Sequence, residues 1–335
     1  MKALRRRMSS FALVLATACE LFFHGVAHAE RIIVSNYGVA ATGMPYAVAL
    51  EMGYFKEVNV DVEGIINAEG TAGIRTLVDA KLAYAELSPL AVLTAVQSGA
   101  DLRIVSGNVH SVVDFLWVAL PSSPVSSVQD LKGRRLGYTN AGSTSEGLDR
   151  LWLNGAAIPP SDVTLSRTGG LEPGLSYLEL GGIDVAPIEE PMWSSRPGKY
   201  KVIAMAAAAL PELCNVVGVT TGDAATTKGE FIRGVLKARR KAVEYIHANP
   251  DASAAIIAKV YKLDPAVAER VIRSLLDSEK KSGTPYWGAG DLRLDTMNNI
   301  VVAQKLLTPM MGEVIWSKLI DESFLPYDLT SNKSK

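Results

Sequence analysis

Four stretches of this sequence collect residue types that hold or transform small molecules. Asn36-Tyr37-Gly38 and the nearby Thr42-Gly43-Met44 combine a ring for stacking, a hydroxyl, and two glycines where a ligand can approach the backbone. Ser88 stands before Pro89 and offers a hydroxyl that either caps a helix or reaches a ligand. The run Thr139-Asn140-Ala141-Gly142-Ser143-Thr144-Ser145-Glu146 sets several hydroxyls at a helix start, where unpaired backbone N–H groups can seat an oxyanion. It carries neither GK[ST] nor GxGxxG, which excludes a nucleotide phosphate loop and a dinucleotide fingerprint. Ser143 to Glu146 also reads as a capping box, and both roles can hold together. Glu189 and Glu190, beside Pro191 and Trp193, form the fourth stretch. Adjacent carboxylates do not face each other on a helix, so this is no acid/base pair. Two readings stand: one Glu accepts from a ligand amine or hydroxyl, or both acids stabilise a helix start.

Asn108 and His110 follow a β-type run, and His110 is either a structural histidine or an acid/base group without a nucleophile motif beside it. Trp287, in Gly283-Thr284-Pro285-Tyr286-Trp287-Gly288, reads as an irregular aromatic loop, either a lid over the site or an apolar plug. The cysteines are Cys19 and Cys214, with no CxxC, and the four histidines show no HExxH, so neither a metal site nor a cofactor is expected. Lys+Arg (34) and Asp+Glu (35) nearly cancel, which gives no footprint for nucleic acid. Arg233, Lys237, Arg239, Arg240 and Lys241 read as a solvated helix face.

The elements that must position these residues alternate. Apolar runs predict strands over 31–36, 58–65, 82–87, 102–106 and 112–120, with helices over 43–55, 71–80 and 89–97 between the first of them. After Pro121 and Pro124 the alternation restarts, with strands at 135–138, 163–166, 183–188 and 201–204 and helices at 143–152 and 173–180. A β-like run at 215–220 carries the chain back. Helices over 226–248, from 264 onward, and over 291–307 complete it. Strands separated by helices make an α/β fold with mainly parallel sheets. A length of 335 residues, 48% hydrophobic, suits two such units. The expected division is a discontinuous first lobe, 30–120 with 213–335, and an inserted second lobe, 121–212, joined by two crossings. In open parallel sheets ligands bind at the carboxyl ends of strands, where all four stretches fall.

Lys2, Arg5, Arg6 and Arg7, an apolar stretch over 11–23, and Ala27-His28-Ala29 have the form of an export signal cleaved after Ala29. Ala16-Thr17-Ala18-Cys19 loosely resembles a lipoprotein box and gives a second reading, a lipid anchor on Cys19.

The segments GYFKEVNVDVE (53–63), AYAELSPLAVLTAVQSGADLRIVSG (83–107), DLKGRRLGYTNAGSTSEGLDRLWLNGAA (130–157) and GGIDVAPIEEP (181–191) carry a family resemblance. With the order of elements, they make the chain similar to solute-binding proteins of ABC importers. The type is the one that includes aliphatic-sulfonate, taurine and nitrate binders and thiamine-pyrimidine-precursor-like proteins. The resemblance implies a two-lobed, hinged type II periplasmic binding fold. It also implies a monomeric receptor that captures one small molecule for a permease and ATPase in the inner membrane. Matching loops place ligand contacts at Tyr37, Thr42, Gly43, Ser88, Ser143, Thr144, Ser145 and Glu190. Asn108, His110, Trp193 and Trp287 complete the candidate set. The alternatives are an enzyme of the thiamine-precursor type, whose cysteine-rich motif this chain lacks, and a ligand-sensing module for a membrane sensor.

Overall fold

The structure, a computed structural model, describes residues 29–330. The expected leader and Cys19 lie outside the described residues. Eleven strands are described: β1 (Glu30–Val34), β2 (Val62–Ile66), β3 (Ala85–Leu87), β4 (Leu102–Val109), β5 (Phe115–Ala119), β6 (Arg135–Tyr138), β7 (Thr164–Arg167), β8 (Ala186–Glu189), β9 (Lys201–Met205), β10 (Val216–Thr221) and β11 (Trp287–Gly290). They confirm a mixed α/β architecture.

Six strands form a large sheet in the order β11-β4-β10-β3-β1-β2. β1 runs parallel to β2 and β3, while β10 is antiparallel to β3 and β4. Ile32, Ile33 and Val34 of β1 are all fully buried, because apolar clusters pack on both faces of the strand beyond its polar start at Glu30 and Arg31. The smaller assembly pairs β5 antiparallel with β8 and β9, and β6 parallel with β7. The Gly137 N–H donates to Val185 O at 2.9 Å and joins β6 to the segment entering β8. The β5 run, placed by sequence with the first lobe, thus belongs to the smaller assembly. The chain crosses between the two at 110–114 and again at 206–215.

Local chemistry explains the helix starts near the strand ends. Ser88 Oγ accepts from Leu90 N at 3.3 Å and Pro89 opens Pro89–Gln97. Ser143 Oγ accepts from Glu146 N at 3.3 Å at the head of Thr144–Gly155. The return half of the expected capping box goes elsewhere: Glu146 Oε2 accepts from Gly142 N at 2.9 Å. The helix expected over 226–248 ends at Ala248, and Pro250 opens a further one, Pro250–Tyr261.

Arg239 departs from the solvated-face expectation. It sits 1% exposed in helix Gly229–Ala248, with Nε 3.2 Å from Glu86 Oε2, because β3 supplies a buried counter-charge under that face. The C-terminal helix Leu294–Leu307 joins the two assemblies. Its Met297, Ile300 and Ala303 share one apolar cluster with Leu87 and Leu90 of the large-sheet side and Trp117 and Leu148 of the small-sheet side.

Candidate functional site

The carboxyl ends of β1, β2, β3, β6 and β8 point at one another across the gap between the two assemblies, and there they enclose a polar cavity of about 20 Å3. The large-sheet side contributes Ser35, Asn36 and Thr42 after β1, Glu69 and Gly70 after β2, Ser88 after β3, and Asn215 and Val216 at the start of β10. The small-sheet side contributes Thr139 after β6, Ser143, Thr144 and Ser145 at the helix start, and Glu189 at the end of β8.

Most of the cavity's polar groups are held by hydrogen bonds, several of them across the gap. Thr139 Oγ1 donates to Glu69 Oε2 at 3.1 Å and Asn140 Nδ2 to Glu69 Oε1 at 2.9 Å. Arg167 fixes that amide from behind, donating to Asn140 Oδ1 at 2.8 Å. Thr144 Oγ1 donates to Asn215 O at 3.0 Å and lies 3.2 Å from Ser88 Oγ. Ser145 Oγ accepts from Thr139 N at 2.9 Å and lies 2.9 Å from Ser143 Oγ. The Thr71 N–H donates to Ala141 O at 3.1 Å. This last contact depends on Gly70, at φ +56°, because a Cβ there would come within 2.6 Å of Ala141 O. The two assemblies therefore sit clasped.

The acids of the site behave differently from its hydroxyls. Glu189 is 5% exposed, and its Oε2 has no hydrogen-bond partner. Burial, with Asp114 and Glu69 nearby, pushes its carboxyl well above the usual range. Asp114 lies just before β5 and accepts from the Tyr286 hydroxyl at 2.6 Å, and burial pushes it up to about 7. Burial also raises Glu69, against the pull of its bonds to Asn140 and Thr139. Among the described residues that line the cavity there is no Lys, Arg or His. Asn215 Nδ2, at 3% residue exposure, is likewise without a partner. No group of His, Cys, Asp and Glu among the described residues has the arrangement to hold a metal ion.

Of the sequence candidates, the structure brings Thr42, Ser88, Ser143, Thr144 and Ser145 to this cavity. The other seven stand elsewhere. The Tyr37 ring meets Tyr261 edge-on at 5.9 Å, and Gly43 gives room to the Tyr261 hydroxyl, which would lie 2.9 Å from a Cβ. The Asn108 amide donates to the Tyr84 hydroxyl at 2.8 Å inside the large-sheet core. His110 is fully buried, with Nε2 3.4 Å from Asp291 Oδ1, and Gly107 leaves space for its ring. Glu190 caps its own turn, accepting from Ser194 N at 3.1 Å and Ser194 Oγ at 2.9 Å. Trp193 packs against the small-sheet cluster of Leu116 and Ile188. Trp287 stands in β11, 1% exposed, with Nε1 donating to Ala41 O at 2.9 Å; it is a core residue rather than a lid. Glu189 and Thr139 stood within stretches noted from sequence, whereas Ser35, Glu69, Gly70, Asn215 and Val216 gave no signal of their own.

Residues 41–253 match the family model described as NMT1/THI5 like. Among solved structures, the chain is similar to the alkanesulfonate-binding protein of Xanthomonas axonopodis pv. citri bound to MOPS. The TM-score is 0.70 at 18% identity, covering 87% of this chain and 97% of that one. The periplasmic aliphatic sulphonate binding protein of Escherichia coli gives a TM-score of 0.68 at 19% identity, over 88% and 92%. A Candida albicans protein described as having the generic periplasmic binding protein fold gives 0.67 at 15%, over 88% and 96%. No curated protein matches the sequence. The fold is thus shared with periplasmic binding proteins, and since the family match spans more than half of its length, the chain belongs to the NMT1/THI5-like family.

Proposed function

We propose that this protein is the solute-binding component of an ABC importer. The observation that carries this reading is the narrow polar cavity between two sheet assemblies, lined from both. A cavity of about 20 Å3 holds little more than one water-sized group. A solute of several heavy atoms therefore enters only when the assemblies part, and is enclosed when they close. The two crossings at 110–114 and 206–215 act as the hinge. Residues on either side of them act as the lobes, with β5 in the smaller one. The clasp of Thr71 on Ala141 and Thr144 on Asn215 then holds the closed form that a permease recognises.

The sulfonate-binding neighbours lend this reading its precedent. Sulfonates, nitrate, carboxylates and small heterocycles are the solute classes to try. The protein acts in the periplasm as a monomer, delivered there by the leader. No reaction is assigned: His110 and Glu190, the groups that the enzyme alternative would need as acid or base, both lie off the cavity lining.

A thermal-shift screen of the purified protein across those classes tests the proposal. A solute at about 100 times its dissociation constant adds roughly 2.7 kcal/mol of stability. Small-angle scattering of the hit should show a more compact particle with solute, and the solute should be recovered unchanged. Stabilisation by no member of any class, in protein freed of co-purified solute, sinks the reading.

A further inference from the structure

The two sides of the cavity leave different groups unsatisfied. On the small-sheet side it is an acceptor, Glu189 Oε2; on the large-sheet side it is a donor, Asn215 Nδ2. Both residues are more than nine-tenths buried. Buried polar groups in native structures are nearly always paired, so two unpaired atoms on residues that line one cavity, one from each side, point to something that enters it. The hydroxyls around them are already engaged. Ser88 Oγ accepts from Leu90 N and lies beside Thr144, while Ser143 Oγ accepts from Glu146 N and lies beside Ser145.

We propose, resting on the solute-binding reading above, that the solute carries a protonated amine. The amine donates to Glu189, and an acceptor oxygen of the same molecule takes the N–H of Asn215. The charge around Glu189 supports this choice. Glu69 acts on it from the loop after β2 and Asp114 from the crossing before β5, while Glu190, just past the strand, acts on Asp114. Asp114 Oδ1 is itself without a partner. No base among the described lining residues offsets these acids. Burial holds these carboxyls toward their protonated form, and an anion with no cationic centre gives none of them a partner that favours ionisation. An ammonium group favours the ionised form of Glu189, which then accepts its N–H at the oxygen now without a partner. The helix starts at Ser88 and Ser143 contribute partial positive charge for an oxyanion at the other end of the molecule. The solute is therefore short and bifunctional, a zwitterion rather than a bare anion. A trimethylated nitrogen keeps the charge but has no N–H, and binds worse.

Matched pairs test this by isothermal titration calorimetry on the whole protein. The probes are β-alanine against propionate, 3-aminopropanesulfonate against propanesulfonate, and N-trimethylated β-alanine. At least one amine-bearing member is expected to bind ten-fold or more tighter than its amine-free partner and its trimethylated form. Glu189→Gln is expected to erase that difference, with thermal unfolding showing a folded variant. Should Glu189→Gln not fold, Glu189→Asp, which withdraws the charge by one methylene, is expected to weaken the amine ten-fold. Equal binding of amine-bearing and amine-free members, unaltered in Glu189→Gln, overturns the amine and leaves solute capture standing. Silence of every amine in the panel also overturns it. If the broad screen is silent as well, solute capture falls with it.

Discussion

Glu86 and Glu189 are two buried carboxylates on strands of the same molecule, and their surroundings have almost nothing in common. Glu86, on β3, has Arg239 Nε at 3.2 Å and the Asn108 amide on the same oxygen. Arg239 spends its other donors on Gly288 O at 2.6 Å and Asn108 O at 2.5 Å, and its guanidinium lies 5.7 Å from the Tyr46 ring centroid. Burial raises the Glu86 carboxyl, and Arg239 pulls it back. Glu189, on β8, has other acids for neighbours and no cation. Depth of burial is the same in both cases and so says nothing about role. What separates them is whether the chain supplies the counter-charge itself. The first carboxylate has its counter-charge within the chain, although its Oε1 is without a partner as Glu189 Oε2 is, and our reading leaves the counter-charge of the second for the solute to supply.

That contrast can be broken most sharply at Arg239. Arg239→Leu strands Glu86 in the core and is expected to cost about 3–5 kcal/mol in urea unfolding. A loss under about 1 kcal/mol would mean that the Glu86 network is no more structural than Glu189.

The acids of the cleft should show the opposite behaviour with pH. Asp114 is held at about 7, above the ordinary carboxylate value, with Glu189, Glu190 and the Tyr286 hydroxyl around it. A carboxyl with a higher pKa folded than unfolded binds more protons in the folded chain. Its stabilising effect is complete at about pH 4 and is lost as pH rises to about 7. Melting temperature should fall across that window, and Asp114→Asn, whose side-chain oxygen still accepts from Tyr286, should flatten the slope. A wild-type profile no steeper than that of the variant would remove Asp114 from the account.

A smaller effect is expected at the clasp. Gly70→Ala places a Cβ against Ala141 O and holds a non-glycine residue at positive φ, a strain of about 1–3 kcal/mol. Because the contact spans the gap, the loss should appear in solute affinity, about ten-fold, more than in urea stability. Equal affinity in the variant would show that closure does not bring these two loops together. Glu189→Gln should have the least effect on stability, within about 1 kcal/mol of wild type, since no ion pair is broken. A loss as large as that of Arg239→Leu would erase the distinction between the two carboxylates.

The parts of this molecule that were legible in sequence are those fixed by neighbours along the chain. Ser88-Pro89 and Ser143 through Glu146 announce their helices because a cap is a matter of three or four residues. The alternation of strands and helices gave the fold class for the same reason. The side of a strand on which a residue falls is set by its partner strand. Glu189 of β8 is paired with Phe115 of β5, so the strand runs one residue further than its apolar run suggested, and Glu189, rather than Glu190, lines the cavity. Trp287 lies in a glycine-rich stretch with no strand signature; only pairing with Val109 of β4 makes it one. Asn215 and Glu69 come to the site from stretches far apart in the sequence, and nothing local marks either. Arg239 looked like its exposed neighbours because the acid that draws it inward lies 153 positions away.

The strand order of the large sheet has a consequence for how the protein is made. β3 and β4 are consecutive in the chain but not in the sheet, for β10 stands between them. β4 cannot join the rest of that sheet until residue 221 has left the ribosome, and its other edge waits for β11 and residue 290. The smaller assembly, all of whose strands fall between 115 and 205, has what it needs much sooner. Its contacts are also shorter in sequence, which favours fast folding. The smaller assembly is therefore the first able to complete its sheets during synthesis, and the large sheet, whose β1, β2 and β3 emerge first, is the last to be finished.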